Sequence, residues 1–361
     1  MALRGAGIFG GGRFARFLQK KGGFLLVDRK DKSPLVLAHE KASGSCNSGL
    51  QSSITSDCNM VLESLQGELQ DKFQPKKQAA FQLSQVYADL NMLQRSARVA
   101  ECGSWLEYYV EPGKAALHRA NFCKDRLCPM CNWRRSLKIF GQVSRVMDVL
   151  EKDNYSFLFL TLTVKNCHAL ELPDTVQALF DGWRNLYRDK TFKKAIAGSF
   201  RSLEVTLNRK TGLYHPHFHV ILAVPESYWH RGYISQAAWA DLWRSCCGLD
   251  YVPVVDIRKI KSDSRGLSGA VAEVAKYAVK SADYLRGDFL AQMGFVETFL
   301  RALSRRRLAG FTGCFASVRK QLGLDDVEEG DLVVVDGEQL RDDVAHVVVR
   351  YAWRSGFYVR E

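Results

Sequence analysis

The segment His215-Pro-His-Phe-His219 places three of the chain's eight histidines within five positions. Its surroundings, Tyr214 to Val224, are rich in β-forming residues and read as a strand. Side chains of a strand alternate between its faces, so His215, His217 and His219 project from one side and Phe218 from the other. Such a row is a natural ligand set for a divalent cation; the alternative is a polar sheet face open to water. Ser199 to Asn208 reads as a partner strand, joined through the turn Arg209-Lys-Thr-Gly212, and this hairpin brings Glu204 beside the histidines. A carboxylate added to two imidazoles leaves metal positions open, at which a phosphate oxygen can bind and be polarised.

Around this hairpin the pattern predicts further elements. Helices are expected over Lys76 to Arg98, Trp133 to Leu150, Thr175 to Lys190, Ser235 to Cys246 and Ala270 to Leu285. Strands are expected over Ser156 to Val164 and Val252 to Lys259. The order points to an α+β fold, an antiparallel sheet with helices layered on one face. Residues 1–75 are rich in Gly, Ser and Lys and are expected to be flexible or peripheral. Residues 76–150 read as a helical region with a cysteine-rich element, 151–324 as the main domain, and 325–361 as an acidic, then strand-like extension containing Asp331 to Asp336 and His346 to Tyr351.

On the expected helix Ala270 to Leu285, Glu273, Tyr277 and Lys280 fall on one face at steps of four and three, with Tyr284 two turns beyond Tyr277. A tyrosine can attack phosphorus and remain as a covalent phosphotyrosine if its hydroxyl is activated. At an ordinary pKa of about 10 it is almost wholly protonated at neutral pH, so a nearby cation such as Lys280 or a metal is needed. Glu273 is placed to activate a water at the closing step. In isolation, the same helix is an ordinary amphipathic one.

The cysteines form a third group. Cys123, Cys128 and Cys131, with Cys102 upstream, can close a tetrahedral zinc site; His118 is a rival fourth ligand, and free or redox-active thiols are the alternative. Arg134 and Arg135, just beyond, are expected to contact phosphates, as is Lys276; a solvated helix start is the plainer reading of the arginine pair.

A net charge of +12 and a pI near 9.2 suit a polyanionic partner. The ten cysteines are irregularly spread, no apolar run is long enough to span a bilayer, and the N-terminus makes a poor secretory signal. A soluble cytoplasmic protein with no membrane partner is expected.

Taken in order, Phe159-Leu-Thr-Leu-Thr163, His215-Pro-His-Phe-His219 and Glu273-Val-Ala-Lys-Tyr277-Ala-Val-Lys280 resemble the three motifs of the plasmid rolling-circle replication initiators of the HUH endonuclease superfamily, in the group typified by small Gram-positive plasmids. The resemblance runs from about Cys102 to Leu324 and includes Arg306-Arg-Leu-Ala-Gly-Phe-Thr-Gly-Cys314. It implies a ferredoxin-like sheet core, a Mg²⁺ or Mn²⁺ ion on His217, His219 and Glu204, and Tyr277 as the nucleophile that nicks one strand of a plasmid origin. It further implies a single-stranded or extruded-hairpin substrate, a 5′-phosphotyrosine intermediate, and a host helicase and polymerase as partners. Tyr284 leaves a two-tyrosine exchange open. A relaxase or single-strand transposase of the same superfamily is the near alternative, although relaxases usually carry the tyrosine ahead of the histidines. A non-catalytic, zinc-dependent DNA-binding regulator is the distant one.

Overall fold

The computed structural model describes residues 48–111, 113–261, 264–276, 279–335 and 347–361. Along the chain the elements are α1 (Ser48–Glu68), a π-helical turn (Leu69–Phe73), α2 (Gln74–Asp89), α3 (Leu93–Glu101), β1 (Trp105–Glu111), β2 (Lys114–Ala120) and α4 (Pro129–Lys152). Then follow β3 (Ser156–Thr163), α5 (Leu172–Arg188), α6 (Lys190–Ala195), β4 (Gly198–Asn208), β5 (Leu213–Val224), a second π-helical turn (Tyr228–Gly232), α7 (Gln236–Cys247) and β6 (Val255–Lys259). The chain closes with α8 (Ser264–Val274), α9 (Ser281–Tyr284), α10 (Phe289–Leu303), β7 (Ala309–Gly313), α11 (Cys314–Gln321), β8 (Val347–Arg354) and β9 (Phe357–Arg360).

The strands form two antiparallel sheets, one of five in the order β6-β3-β5-β4-β7 and one of four in the order β2-β1-β8-β9. The mixed α+β class is as expected. In the larger sheet β3 is apolar and buried from Phe157 to Leu160 and at Leu162, where it is flanked by β5 and β6, and carries Thr161 and Thr163 on the histidine face. The β4–β5 hairpin turns at residues 209–212, where Asn208 Oδ1 accepts the amides of Lys210 and Thr211 and Gly212 takes φ +70°.

Helices cover both faces of this sheet, not the single face expected. On one side α5 sends Phe180 and Trp183 against Phe218 of β5, and α7 sends the Trp243 indole to the Thr163 carbonyl. On the other, Phe315 of α11 packs on Phe157 of β3, and α8 approaches His219 through Glu273. The reason lies in β4 and β5: nearly every residue on both faces is apolar or buried, which one layer of helices cannot satisfy.

Three other expectations change. Residues 1–47 lie outside the described residues, but 48–73 are helical and contribute Leu65, Leu69 and Phe73 to the core instead of hanging at the periphery. The helix expected over Lys76 to Arg98 breaks between α2 and α3, where Asn91 adopts φ +58°, a conformation that asparagine tolerates and a helix does not. The helix expected over Ala270 to Leu285 also breaks, α8 ending at Val274 and α9 starting at Ser281, with Lys280 in extended geometry.

The C-terminal strands are not an appendage, since β8 pairs with β1 and closes the smaller sheet. The inner face of that sheet packs Tyr108, Tyr351 and Tyr358 around Phe73. Residues 331–335 form no strand; the Leu332 and Val333 carbonyls accept hydrogen bonds from Arg134 instead of from a neighbouring strand, and Asp336 and His346 lie outside the described residues. Among the described residues no helix is long and apolar enough to cross a membrane.

Candidate active site

The hairpin register sets the site. Glu204 of β4 lies opposite His217 of β5, Ser202 opposite His219, and on the other side of β5 Thr161 of β3 lies opposite His219. These side chains share the face turned away from α5. His217 Nε2 and His219 Nε2 are 3.1 Å apart, and Glu204 Oε2 lies 3.1 Å from His219 Nε2 and 3.6 Å from His217 Nε2. All three residues are buried.

The outer nitrogens of the rings are already engaged. His217 Nδ1 donates to the His215 carbonyl at 3.1 Å, and His219 Nδ1 faces Thr161 Oγ1 at 3.3 Å. The first bond fixes the tautomer that leaves the His217 Nε2 lone pair facing inwards. Two such nitrogens and a carboxylate oxygen converge on one point, where a proton or a cation between them relieves the repulsion of their lone pairs. Metal bonds of about 2.1 Å at right angles separate neighbouring ligand atoms by about 3.0 Å, which the observed spacings fit. Two imidazoles and one carboxylate on one side leave the opposite positions of an octahedron open. Glu204, His217 and His219 therefore suit a divalent ion.

His215 does not join them. Its Nδ1 lies 2.6 Å from Asn166 Oδ1, its ring stands beside that of His217, and burial and the His217 charge lower its pKa. The expectation of His215 as a ligand is corrected to that of a neighbour which positions His217 through its carbonyl.

The segment carrying the third motif reaches this cluster from two sides. Glu273, at the end of α8, places Oε1 3.6 Å from His219 Nε2 and pairs through Oε2 with Lys276. Lys280, just before α9, places Nζ 3.1 Å from Glu204 Oε1. Burial alone would raise the Glu204 pKa, but the two imidazoles beside it and the Lys280 charge outweigh it and hold the carboxyl far below its usual range. Burial would likewise lower that of Lys280, and the Glu204 carboxylate turns the shift upward. Tyr277 lies outside the described residues. Its neighbours in sequence, Lys276 and Lys280, are thus the described residues that locate the motif, and Lys276 is committed to Glu273 where a phosphate contact was expected.

Tyr284 is settled by burial. It is fully enclosed, its hydroxyl donates to the Leu127 carbonyl, its ring packs on Phe299, and burial pushes its pKa well up. It is a core residue, and the helix break follows in part from it, because tertiary burial of Tyr284 and the Lys280 pair override local helix propensity.

The four cysteines meet at the junction of β1, β2 and α4. Cys102 Sγ lies 3.5 Å from both Cys131 Sγ and Cys128 Sγ, and Cys123 Sγ lies 3.7 Å from Cys131 Sγ. These separations are too long for disulfides and near the roughly 3.8 Å between sulfurs around a tetrahedral zinc. Hydrogen bonds from the other thiols hold Cys131 well below the usual thiol pKa, while the Cys123 hydrogen bond pushes Cys102 and burial pushes Cys128 well above it. Amides of Cys123, Lys124 and Asp125 point at the sulfurs, and Lys77 and Arg135 supply positive charge beside the cluster. That is the environment a doubly negative tetrathiolate centre needs. His118 stacks on Tyr109 and shares a 2.8 Å hydrogen bond with its hydroxyl, away from this role.

Arg134 and Arg135 are buried. Arg134 donates to the carbonyls of Leu332 and Val333, and Arg135 to those of Glu328, Asp125 and Lys124. They bind the acidic segment against α4, so the expected phosphate contacts are replaced by structural ones. Asn166 was missed in the sequence, and Thr161 and Arg209 were named only within the first motif and the turn, without the contact of Thr161 to His219 or of the Arg209 guanidinium to the carbonyls of Ala282 and Asp283. The Thr161 contact could have been found, since alternation from Thr163 puts both threonines on one face of β3.

Residues 114–359 match the family model described as Replication protein. The chain belongs to this replication protein family. Relatives called Protein rep include one from Bacillus amyloliquefaciens, 39% identical over 70% of this chain and 79% of its own length. Another, from Streptococcus pneumoniae serotype 2, is 37% identical over 79% of this chain and 91% of its own. A Staphylococcus aureus relative called Replication protein is 31% identical over 63% of this chain and 98% of its own length. The family supports a plasmid replication initiator and agrees with the resemblance drawn from the three motifs. No solved structure matches the chain.

Proposed function

We propose that the protein initiates rolling-circle replication by nicking one strand at a plasmid origin and later rejoining it, with Tyr277 as the nucleophile. One observation carries the reading: Glu204, His217 and His219 converge on a single point, and the residues on either side of Tyr277 reach that same point through Glu273 and Lys280. The five-stranded sheet with the histidine strand β5 at its centre fits the ferredoxin-like core of the HUH endonucleases.

Glu204, His217 and His219 would hold a Mg²⁺ or Mn²⁺ ion. When bound, it supplies Lewis-acid polarisation of the scissile phosphate. Tyr277 Oη attacks phosphorus in line, the P–O3′ bond breaks, and the chain is left with a 5′-phosphotyrosine and a free 3′-hydroxyl. That hydroxyl primes synthesis. The ester keeps the phosphodiester energy for rejoining. Lys280 adds positive charge on the open side of Glu204, favouring a phosphate and a tyrosinate alike. Glu273 is placed to take a proton from water or from an incoming hydroxyl at the closing step. The buried Tyr284 argues for a single tyrosine. The cysteine centre would hold a structural Zn²⁺ that ties the β1–β2 hairpin to α4.

Purified protein incubated with supercoiled plasmid carrying its origin, with and without Mn²⁺, tests this. A metal-dependent nick with protein on the 5′ end, absent in Tyr277→Phe, supports it. Tight origin binding with no nick under any metal would instead favour the non-catalytic regulator.

A further inference from the structure

The smaller sheet has a face that the proposed chemistry does not use. Its inner side is core; its outer side carries the exposed Arg350 and Arg354 of β8 and Phe357 and Val359 of β9, with the half-buried Trp105 of β1 and Ala352 of β8 between them. Trp105 lies opposite Ala352, and Ala352 opposite Val359, so one row across the sheet reads large, small, apolar. Arg350 and Arg354 stand on either side of Ala352 along the strand. The result is a shallow cavity of about 490 Å³ lined by Trp105, Arg350, Ala352 and Arg354, with Ser104, Trp353 and Glu361 at its end.

We propose that this face binds single-stranded DNA, one base lying over Ala352 against the Trp105 ring and the flanking phosphates meeting Arg350 and Arg354. The proposal rests on the replication reading above for its ligand class, and on this sheet for its location. Exposed aromatic surface beside arginines is the recognised chemistry of single-strand platforms, because every base offers a π-face and every link a charge. The cation supply continues across the sheet, where Arg119 of β2 and Arg350 of β8 both reach the carboxylate of Glu107 between them. Arg354 pairs with Glu361. Arg354 and its partner Glu361 are both exposed, so a phosphate can exchange for that carboxylate at little cost, whereas Arg350 keeps its bond to the buried Glu107 and offers a phosphate its remaining donors. Phe357, 58% exposed at the sheet edge, extends the apolar surface beyond the cavity.

The test measures anisotropy of a fluorescein-labelled oligothymidine strand on the full chain, titrated at several salt concentrations without added divalent metal. Trp105→Ala should weaken binding about tenfold. Arg354→Ala, and separately Arg350→Ala made together with Glu107→Gln so that no buried carboxylate loses its partner, should each lower the slope of log affinity against log salt by about 0.7. Arg184→Ala, an equally exposed arginine on α5, should leave that slope unchanged. Unaltered single-strand affinity in folded Trp105 and arginine variants overturns the proposal, as does tighter binding of the matching duplex with equal dependence on these residues. Loss of self-association in the same variants, measured by sedimentation, with DNA affinity kept, overturns it in favour of a second copy of the chain. Metal-dependent nicking of supercoiled plasmid by the unsubstituted chain is scored separately; its failure would count against the nicking reading and leave this surface standing.

Discussion

Glu204 faces His217 across the β4–β5 hairpin, and the same carboxylate meets His219 through Oε2 and Lys280 through Oε1. One buried acid thereby joins the histidine strand to the segment that follows Tyr277. Glu204→Gln keeps the shape but removes the charge that gathers these groups. It should weaken Mn²⁺ binding at least tenfold, read by calorimetry or electron paramagnetic resonance. Unchanged affinity would remove Glu204 from the ligand set.

The cysteine cluster predicts one zinc per chain by elemental analysis, kept through purification. Cys128→Ser should lose it and lower Tm by on the order of 10 °C, since a structural zinc contributes to folding directly. A zinc-free protein with the same Tm as the zinc-loaded one would contradict this.

How much of this was legible beforehand differs by element. The β4–β5 hairpin and its Glu204 placement were, because alternation and a short turn with Asn208 and Gly212 leave little freedom in register. Cys123, Cys128 and Cys131 were too, their spacing being local, whereas the choice between Cys102 and His118 as the fourth member depended on the β1–β2 hairpin. The helical path from Glu273 to Lys280 was not. The expectation assumed a continuous helix, and long-range demands, Tyr284 into the core and Lys280 onto Glu204, break that helix in a way no local propensity encodes. Arg134 and Arg135 misled for a related reason: a charge in sequence looks solvated until the carbonyls of residues 328–333, almost two hundred positions away, are seen to receive it.

Those arginines yield a stability prediction. Arg134→Ala leaves two carbonyls without their donor and should cost about 2–4 kcal/mol in denaturant unfolding. Amide exchange at 331–335 should quicken, and DNA affinity of the folded fraction should stay as it was. A selective loss of DNA binding with stability kept would restore the phosphate-contact reading.

Asp326 predicts a pH effect. Burial would raise its pKa, but Arg307 and the amides of Glu328 and Glu329 outweigh that and bring it from 3.8 to about 2. A carboxyl depressed in the fold stabilises above its unfolded pKa, and the contribution fades as pH falls towards 2. Asp326→Asn should therefore be about 1–2 kcal/mol less stable at neutral pH, with the gap closing between roughly pH 4 and pH 2. A gap that is constant over that range would show that the charge is not its cause.

Which tyrosine becomes joined to DNA decides the central claim. The protein is reacted with an origin oligonucleotide in Mn²⁺, digested, and its peptides weighed. The account predicts a nucleotide on Tyr277, none on Tyr284, and an undiminished adduct in Tyr284→Phe. A nucleotide on Tyr284, or strand cleavage with no modified tyrosine at all, would contradict it.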